Sequence, residues 1–252
     1  MHKILANTAF LGKEIINMTE CHSTNDTAIS LFRSGAAREG TIVITARQTK
    51  GKGQRGNKWY SEPGKNLTFS LVLTPLFLDA TEQFGLNMAL SGGIHEAISE
   101  FVPDIKIKWP NDFMHDQRGK IGGMLIENSV SSHGIESSVV GLGLNVNQIG
   151  FPFPNAVSLA MLAGAELDID EVFRSLVTQI EKWYLKLKRG SLDEIKDYYL
   201  HFLYRFDVWA WYQDEKALFW GKITGIDPMG NLLVMKQNDR IQSYGFKEIR
   251  FV

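Results

Sequence analysis

The stretch Gln48-Thr49-Lys50-Gly51-Lys52-Gly53-Gln54-Arg55-Gly56-Asn57-Lys58-Trp59 constrains the fold more than any other part of the chain. It holds three glycines and four cations and no carboxylate. The run at residues 41–46 before it and the alternating run at 67–73 after it both read as strands. Gly51, Gly53 and Gly56 match the letters of a dinucleotide fingerprint. That fingerprint requires a helix immediately afterwards and an acidic residue about 20 positions on. Here Trp59-Tyr60-Ser61-Glu62-Pro63-Gly64 turns instead. The unit is β-loop-β, and the Rossmann reading fails. What remains is a mobile basic loop that brings backbone N–H groups and positive charge to a phosphate-bearing ligand. Taken alone, such a loop also reads as a solvated connection or a nucleic-acid contact.

Composition narrows the choice. A chain of 252 residues, 44% hydrophobic, is sized for one large domain or one large and one small. With a formal net charge of −1 it carries no global field to recruit DNA or a membrane, so anion binding must be local. One cysteine, Cys21, excludes an intrachain disulfide and fits a reducing compartment. The N-terminus lacks the apolar core of a signal peptide, no apolar run is long enough for a bilayer, and a cytoplasmic protein is expected.

In chain order, Ser23-Thr24-Asn25-Asp26 supplies N-cap residues for a short helix ending near Ser34-Gly35. Cys21 reads as a small buried residue. Apolar spacing predicts a helix over 81–101, with Gly92-Gly93 allowing close packing against the sheet and His95 at the surface or boundary. Alternation from Ile105 to Trp109 predicts a strand, ended by Pro110, with a turn at Asn111-Asp112. Lys120-Ile121-Gly122-Gly123 leads into a further strand, and Gly141 and Gly143 interrupt the next, marking close approach by a ligand or another backbone. Two amphipathic helices follow, the second with Ser191 and Glu194 as a capping box. After Arg205 short strands separated by turns indicate a small barrel or sandwich, which sets a domain boundary there.

Five segments in this order, Ser23-Thr24-Asn25, the 51–59 loop, Lys108-Trp109-Pro110-Asn111-Asp112, residues 120–127 and Gly141-Leu142-Gly143-Leu144-Asn145, resemble the biotin–protein ligases. The resemblance runs from Cys21 to the end. It implies an α+β fold: a mixed-sheet catalytic domain packed with helices over residues 1–204, and a small SH3-like β-barrel over 205–252. It also implies two reactions. Biotin and Mg-ATP give biotinyl-5′-AMP and pyrophosphate, and the acyl group then passes to a lysine of the biotin carboxyl carrier protein of acetyl-CoA carboxylase or a related biotin enzyme.

By that resemblance Lys120 and Arg55 are catalytic. Ser23, Thr24, Asn25, Gln48, Gly51, Lys52, Gly53, Gln54 and Lys120 contact biotin. Arg55, Trp59, Lys108, Asn111, Asp112 and Asn145 contact ATP, while Asp112 either orients a lysine or binds Mg²⁺. The chemistry fits: two unit charges 4 Å apart repel by about 4 kcal/mol at an effective dielectric of about 20, so a carboxylate attacking a phosphate needs fixed cations nearby. A glycine loop closing over the acyl-adenylate would exclude water, so residues 50–58 are expected to order with ligand. Lys52 and Gln54 stand where many relatives carry arginine, and Asn57 is another lost cation. His22 stands where an acid is frequent. Only about twenty residues precede Ser23, too few for the DNA-binding domain of the regulatory branch, so no DNA partner is expected. A homodimer is left open, because relatives include monomers and dimers. The competing readings are a lipoate–protein ligase of the same fold, a nucleic-acid-binding module, and a non-catalytic biotin-binding protein.

Overall fold

The computed structural model describes residues 7–132 and 134–252, with the side chain of Arg55 outside the description. Its larger sheet contains β1 (Ile15–Met18), β2 (Ile42–Thr45), β3 (Leu67–Leu73), β4 (Ile105–Lys108), β5 (Asp112–His115), β6 (Gly119–Ser131) and β7 (Gly134–Leu144), in the order β1-β2-β3-β7-β6-β5-β4. β1 and β2 pair in parallel and every other neighbouring pair is antiparallel. Sequence reading missed β1, four residues inside what looks like an N-terminal lead. The lead itself is held by the buried Glu181 carboxylate, which accepts the backbone N–H groups of Ala9, Phe10 and Leu11.

The period of two along each strand sorts the side chains onto two faces. On β3, Leu67, Phe69, Leu71 and Leu73 enter the main core, where the Phe69 ring meets Phe173 at 5.0 Å. That face is covered by α2 (Gln83–Ser99) and α4 (Ile169–Lys188), with α5 (Leu192–His201) beyond α2. The opposite face receives α1 (Thr24–Arg33), whose Ala28 packs among Val43, Val72 and Val139. α1 rests on β2, β3 and β7 and leaves the rest of that face to the cleft described below.

Four expectations are corrected. His95 is buried at 2% exposure, with Nε2 donating to the Ile105 carbonyl at 3.0 Å and Nδ1 facing the Tyr198 hydroxyl at 2.9 Å. The reason is that α2 is enclosed on all sides, with twelve of its 17 residues buried. Gly92 and Gly93 pack against α4, where a Cβ would meet the Trp183 ring or the Gln179 backbone; the sheet is not their neighbour. Ser191 makes no side-chain capping bond, and Glu194 pairs instead with Lys186 at 2.7 Å. The turn after β4 occupies residues 109–111, and Asp112 already begins β5.

A short helix, α3 (Leu159–Ala163), precedes α4. After α5, the backbone at Phe202 and Tyr204 pairs with Ile107 and covers the open edge of β4. The chain then forms a second, antiparallel sheet of β8 (Trp209–Gln213), β9 (Leu218–Ile226), β10 (Leu232–Lys236), β11 (Ile241–Tyr244) and β12 (Arg250–Phe251), ordered β11-β10-β9-β8-β12. Its inward residues Tyr212, Ile223, Val234 and Tyr244 join the same contiguous core as the larger sheet. Among the described residues no helix is long and apolar enough to cross a membrane.

Candidate active site

Strand register builds the floor of the site. Thr68 on β3 stands opposite Gly143 on β7, Gly143 opposite Gly123 on β6, Gly123 opposite Asp112 on β5, and Asp112 opposite Lys108 on β4. One row therefore carries a hydroxyl, two bare positions, a carboxylate and an ammonium across five strands. Two residues along, Ser70, Gly141 and Leu125 make a parallel row. The glycines leave a trough where side chains would otherwise fill the face. The resulting cleft has a volume of about 600 Å³, within the size range of small-molecule sites.

Lys120 reaches this face through a β-bulge. Simple alternation from Gly123 would put Ile121 in the cleft and Lys120 beneath the sheet. Phe113 instead pairs with Gly122 and Met114 with Lys120, so β6 carries one extra residue there. The bulge restores Lys120 to the side of Met114 and Asp112 and buries Ile121 completely. Lys120 Nζ then lies 2.7 Å from Asp112 Oδ1 and 6.0 Å from the centre of the Trp59 ring. Lys108 Nζ lies 5.0 Å from the centre of the Phe251 ring. Burial lowers the Lys108 pKa, as does Lys120, while Asp112 opposes the change. Two ammonium groups thus share one carboxylate, an arrangement with unspent positive charge for an anion.

At the other end, the loop's entry runs beside the segment before α1. Cys21 N donates to Arg47 O, Thr49 N to Cys21 O and Lys50 N to His22 O. That pairing brings Gln48 Oε1 to the Thr24 backbone N–H at 2.7 Å. Ser23 caps α1. Asn25 sits over Gly141, its amide donating to Glu127 and Leu125 O and its carbonyl oxygen accepting from Ser70 at 2.6 Å. Lys52 is held by Asp26 at 2.5 Å, a hydrogen bond that raises the lysine pKa. Cys21 is buried as expected, and burial pushes its thiol pKa up.

Trp59 returns from the loop to pack on Gly143, where a Cβ would come within 2.3 Å of the indole. Among the described residues its Nε1 is buried with no partner, as are Gln54 Oε1 and Asn145 Oδ1. Leaving such a group unpaired costs about 1–3 kcal/mol, a cost that a polar ligand can remove.

The structure gathers Ser23, Thr24, Asn25, Gln48, Lys52, Gly53, Gln54, Trp59, Lys108, Asn111, Asp112 and Lys120 around one cleft. Gly51 and Asn145 do not line it. Gly51 is packed against the Trp59 backbone, and Asn145 donates to Val157 O beyond the end of β7. The Arg55 side chain lies outside the described residues. Asn111 lines the cleft but is buried, its amide donating to Met124 O. Asp112 is engaged with Lys120, and among the described residues no cluster of three or more His, Cys, Asp or Glu could hold a metal.

Sequence reading missed several lining residues. Thr68 had a signal, because it and Ser70 are the polar members of an otherwise apolar strand. Phe246, Lys247, Arg250 and Phe251 had none, because they arrive from the second sheet.

Residues 18–145 match the Biotin/lipoate A/B protein ligase family. The chain is 30% identical over 243 residues to the bifunctional ligase/repressor BirA of Bacillus subtilis, covering 93% of this chain and 73% of that one. It is 29% identical over 223 residues to the biotin–[acetyl-CoA-carboxylase] ligase of Paracoccus denitrificans, covering 84% and 90%. Among solved structures, biotin protein ligase from Aquifex aeolicus in complex with biotin and ATP matches with a TM-score of 0.77 at 28% identity, covering 95% of this chain and 100% of that one. A cationic trough of this build, on this sheet and in this sequence context, leaves one assignment: the chain belongs to the Biotin/lipoate A/B protein ligase family.

Proposed function

We propose that this protein is an ATP-dependent biotin–protein ligase. The observation that carries the mechanism is the Lys108–Asp112–Lys120 cluster on a floor of glycines, beside buried polar groups without partners. In the first half-reaction a biotin carboxylate oxygen attacks the α-phosphorus of ATP, and the bond to the β-phosphate oxygen breaks to release pyrophosphate. Lys120 lies between the two anions, draws them together and stabilises the charge on the five-coordinate phosphorus. Lys108 and Arg55 address the phosphates. In the second half-reaction a lysine amine of the acceptor attacks the acyl carbon, and AMP leaves.

Ser23, Thr24, Gln48 and the backbone at 52–54 form the biotin end. Gln48 Oε1 is committed to Thr24, which turns its amide N–H₂ group toward ligand duty. Trp59 borders the adenosine. Asp112 orients Lys120, and Mg²⁺ enters with ATP as part of the substrate, bound chiefly through its phosphates. Residues 1–204 act as the catalytic domain and 205–252 as an SH3-like domain. The acceptor is a biotin carboxyl carrier protein, as the name of the Paracoccus relative suggests, and the reaction takes place in the cytoplasm. A lipoate ligase is the sister reading; the relatives named for biotin favour this one.

Biotin-dependent exchange of labelled pyrophosphate into ATP tests the proposal, with lipoate as comparison. Exchange with biotin alone is expected. Exchange with lipoate alone moves the chain to the sister activity, and none with either from folded protein overturns the adenylation mechanism.

A further inference from the structure

Lys108 and Asp112 face each other at the turn end of the β4–β5 hairpin, joined by residues 109–111. Any movement of that connection moves both groups. Three tethers hold it. The Tyr199 hydroxyl donates to Pro110 O at 2.9 Å from α5. Asn111 exchanges hydrogen bonds with Met124 of β6, its amide donating to Met124 O and its carbonyl accepting from Met124 N. The third leaves the catalytic half altogether: the buried Trp109 indole Nε1 donates to Gly230 O at 2.9 Å, in the turn between β9 and β10.

That carbonyl is presented rigidly. The Asp227 carboxylate accepts from Met229 N, Asn231 N, Asn231 Nδ2 and the Ser243 hydroxyl, closing the turn on itself. Gly230 has φ +88°, a conformation suited to glycine. Its Cα is also seated against the Phe84 ring of α2, where a Cβ would lie 2.2 Å from Cδ2. On its other side the Trp109 ring meets Phe246, a cleft residue, at 6.1 Å.

We propose that Trp109 is a positioning residue for the nucleotide end of the cleft: its N–H bond to Gly230 is how the second sheet fixes Lys108 and Asp112 for ATP. The inference rests on the ligase reading. It separates three roles around one motif, with Lys108 touching ligand, Asp112 orienting Lys120 and Trp109 acting through both. The bond holds the Lys108–Asp112 connection and touches none of Ser23, Thr24 and Gln48, so its loss falls first on ATP.

The test is Trp109→Phe in the full chain, which keeps an aromatic ring and removes the N–H. KM for ATP in pyrophosphate exchange is expected to rise about tenfold, with KM for biotin within about twofold. Hydrogen exchange at residues 107–112 is expected to quicken, with residues 141–144 unchanged. An unaltered ATP KM beside a lowered melting temperature would reduce Trp109 to packing. Equal rises for both substrates would also overturn the proposal. Should Trp109→Phe not fold, Asp227→Ala decides, because it loosens the turn that presents Gly230 O and leaves the indole in place; an ATP-selective rise supports the proposal and none refutes it. Wild-type protein without biotin-dependent exchange would remove the ligase reading, and hydrogen exchange would still show whether the bond orders residues 107–112.

Discussion

Leu142 and Gly143 are neighbours on β7, and the contrast between them is the contrast between the two faces of the sheet. Leu142 points into the main core and is 2% exposed. Gly143 points into the cleft and holds open the space that the Trp59 indole enters. One face consists of interlocking aliphatic and aromatic side chains. The other, beyond the valine patch under α1, consists of glycines, hydroxyls and charges, with polar groups left unpaired among the described residues at its edge. The lesson is a division of labour within single strands. The packed face supplies the stability that a trough of glycines cannot, and the trough can then carry groups that are poor for folding and good for binding.

The largest expected effects separate the faces cleanly. Lys120→Ala should lower biotin-dependent pyrophosphate exchange by about 10²–10³-fold while leaving the urea midpoint nearly unchanged. Leu142→Ala should do the reverse, costing about 2–5 kcal/mol of stability through the cavity it creates, with KM values near wild type in the protein that remains folded. If Lys120→Ala unfolds the protein, or Leu142→Ala selectively removes substrate binding, the division is wrong.

The packed face carries one titratable group that sharpens the comparison. Burial lowers the pKa of His95 from its ordinary 6.5 to about 4. Between those values the unfolded chain binds a proton that the folded chain refuses. Stability is therefore complete above pH 6.5 and lost as the pH falls toward 4, by up to about 3 kcal/mol. Urea unfolding at pH 7 and pH 4.5 should show the loss in wild type and a smaller one in His95→Gln. Identical pH dependence in the two proteins would assign the acid sensitivity elsewhere.

How far this was legible depended on whether a feature is local. The strand at 67–73, the helices at 24–33 and 169–188 and the strands after residue 208 follow from periodicity and caps, and they stand close to where the sequence indicated. Asn25 and Gln48 were legible as site residues only by resemblance, because Asn25's role depends on the Ser70–Asn25–Glu127 chain of hydrogen bonds across three elements. Lys120 would point the wrong way on alternation alone. The bulge that turns it is a register property of two strands, which neither strand shows by itself. His95 was misread for a related reason: its helix period marks an apolar side but not the enclosure by α4, α5 and the sheet. The Trp109–Gly230 bond spans 121 residues and carries no local mark.

A middle-sized test concerns the trough itself. Gly143→Ala adds one methyl where the indole sits, so Trp59 must shift. Calorimetric titration should show biotin or ATP affinity reduced by about tenfold, with thermal stability close to wild type. A methyl tolerated without loss of either affinity would mean that the indole site is not used by ligand.

The smallest expected effect lies at the cleft's rim. Lys52 and Asp26 join the basic loop to α1, and both side chains are 47% exposed. Exposed pairs contribute about 0–1 kcal/mol and are screened by salt. Asp26 holds Lys52 and so offsets its charge, and on the ligase reading the pair would keep the loop down over the intermediate. Asp26→Asn should therefore let biotinyl-adenylate escape or hydrolyse about two- to threefold faster at low ionic strength. The difference should vanish near 1 M salt, where the screening length is about 3 Å. Lys120→Ala should show no such convergence, because its effect is made inside the cleft. A salt-independent Asp26→Asn phenotype would place Asp26 among the groups that shape the site and not among those that hold its cover.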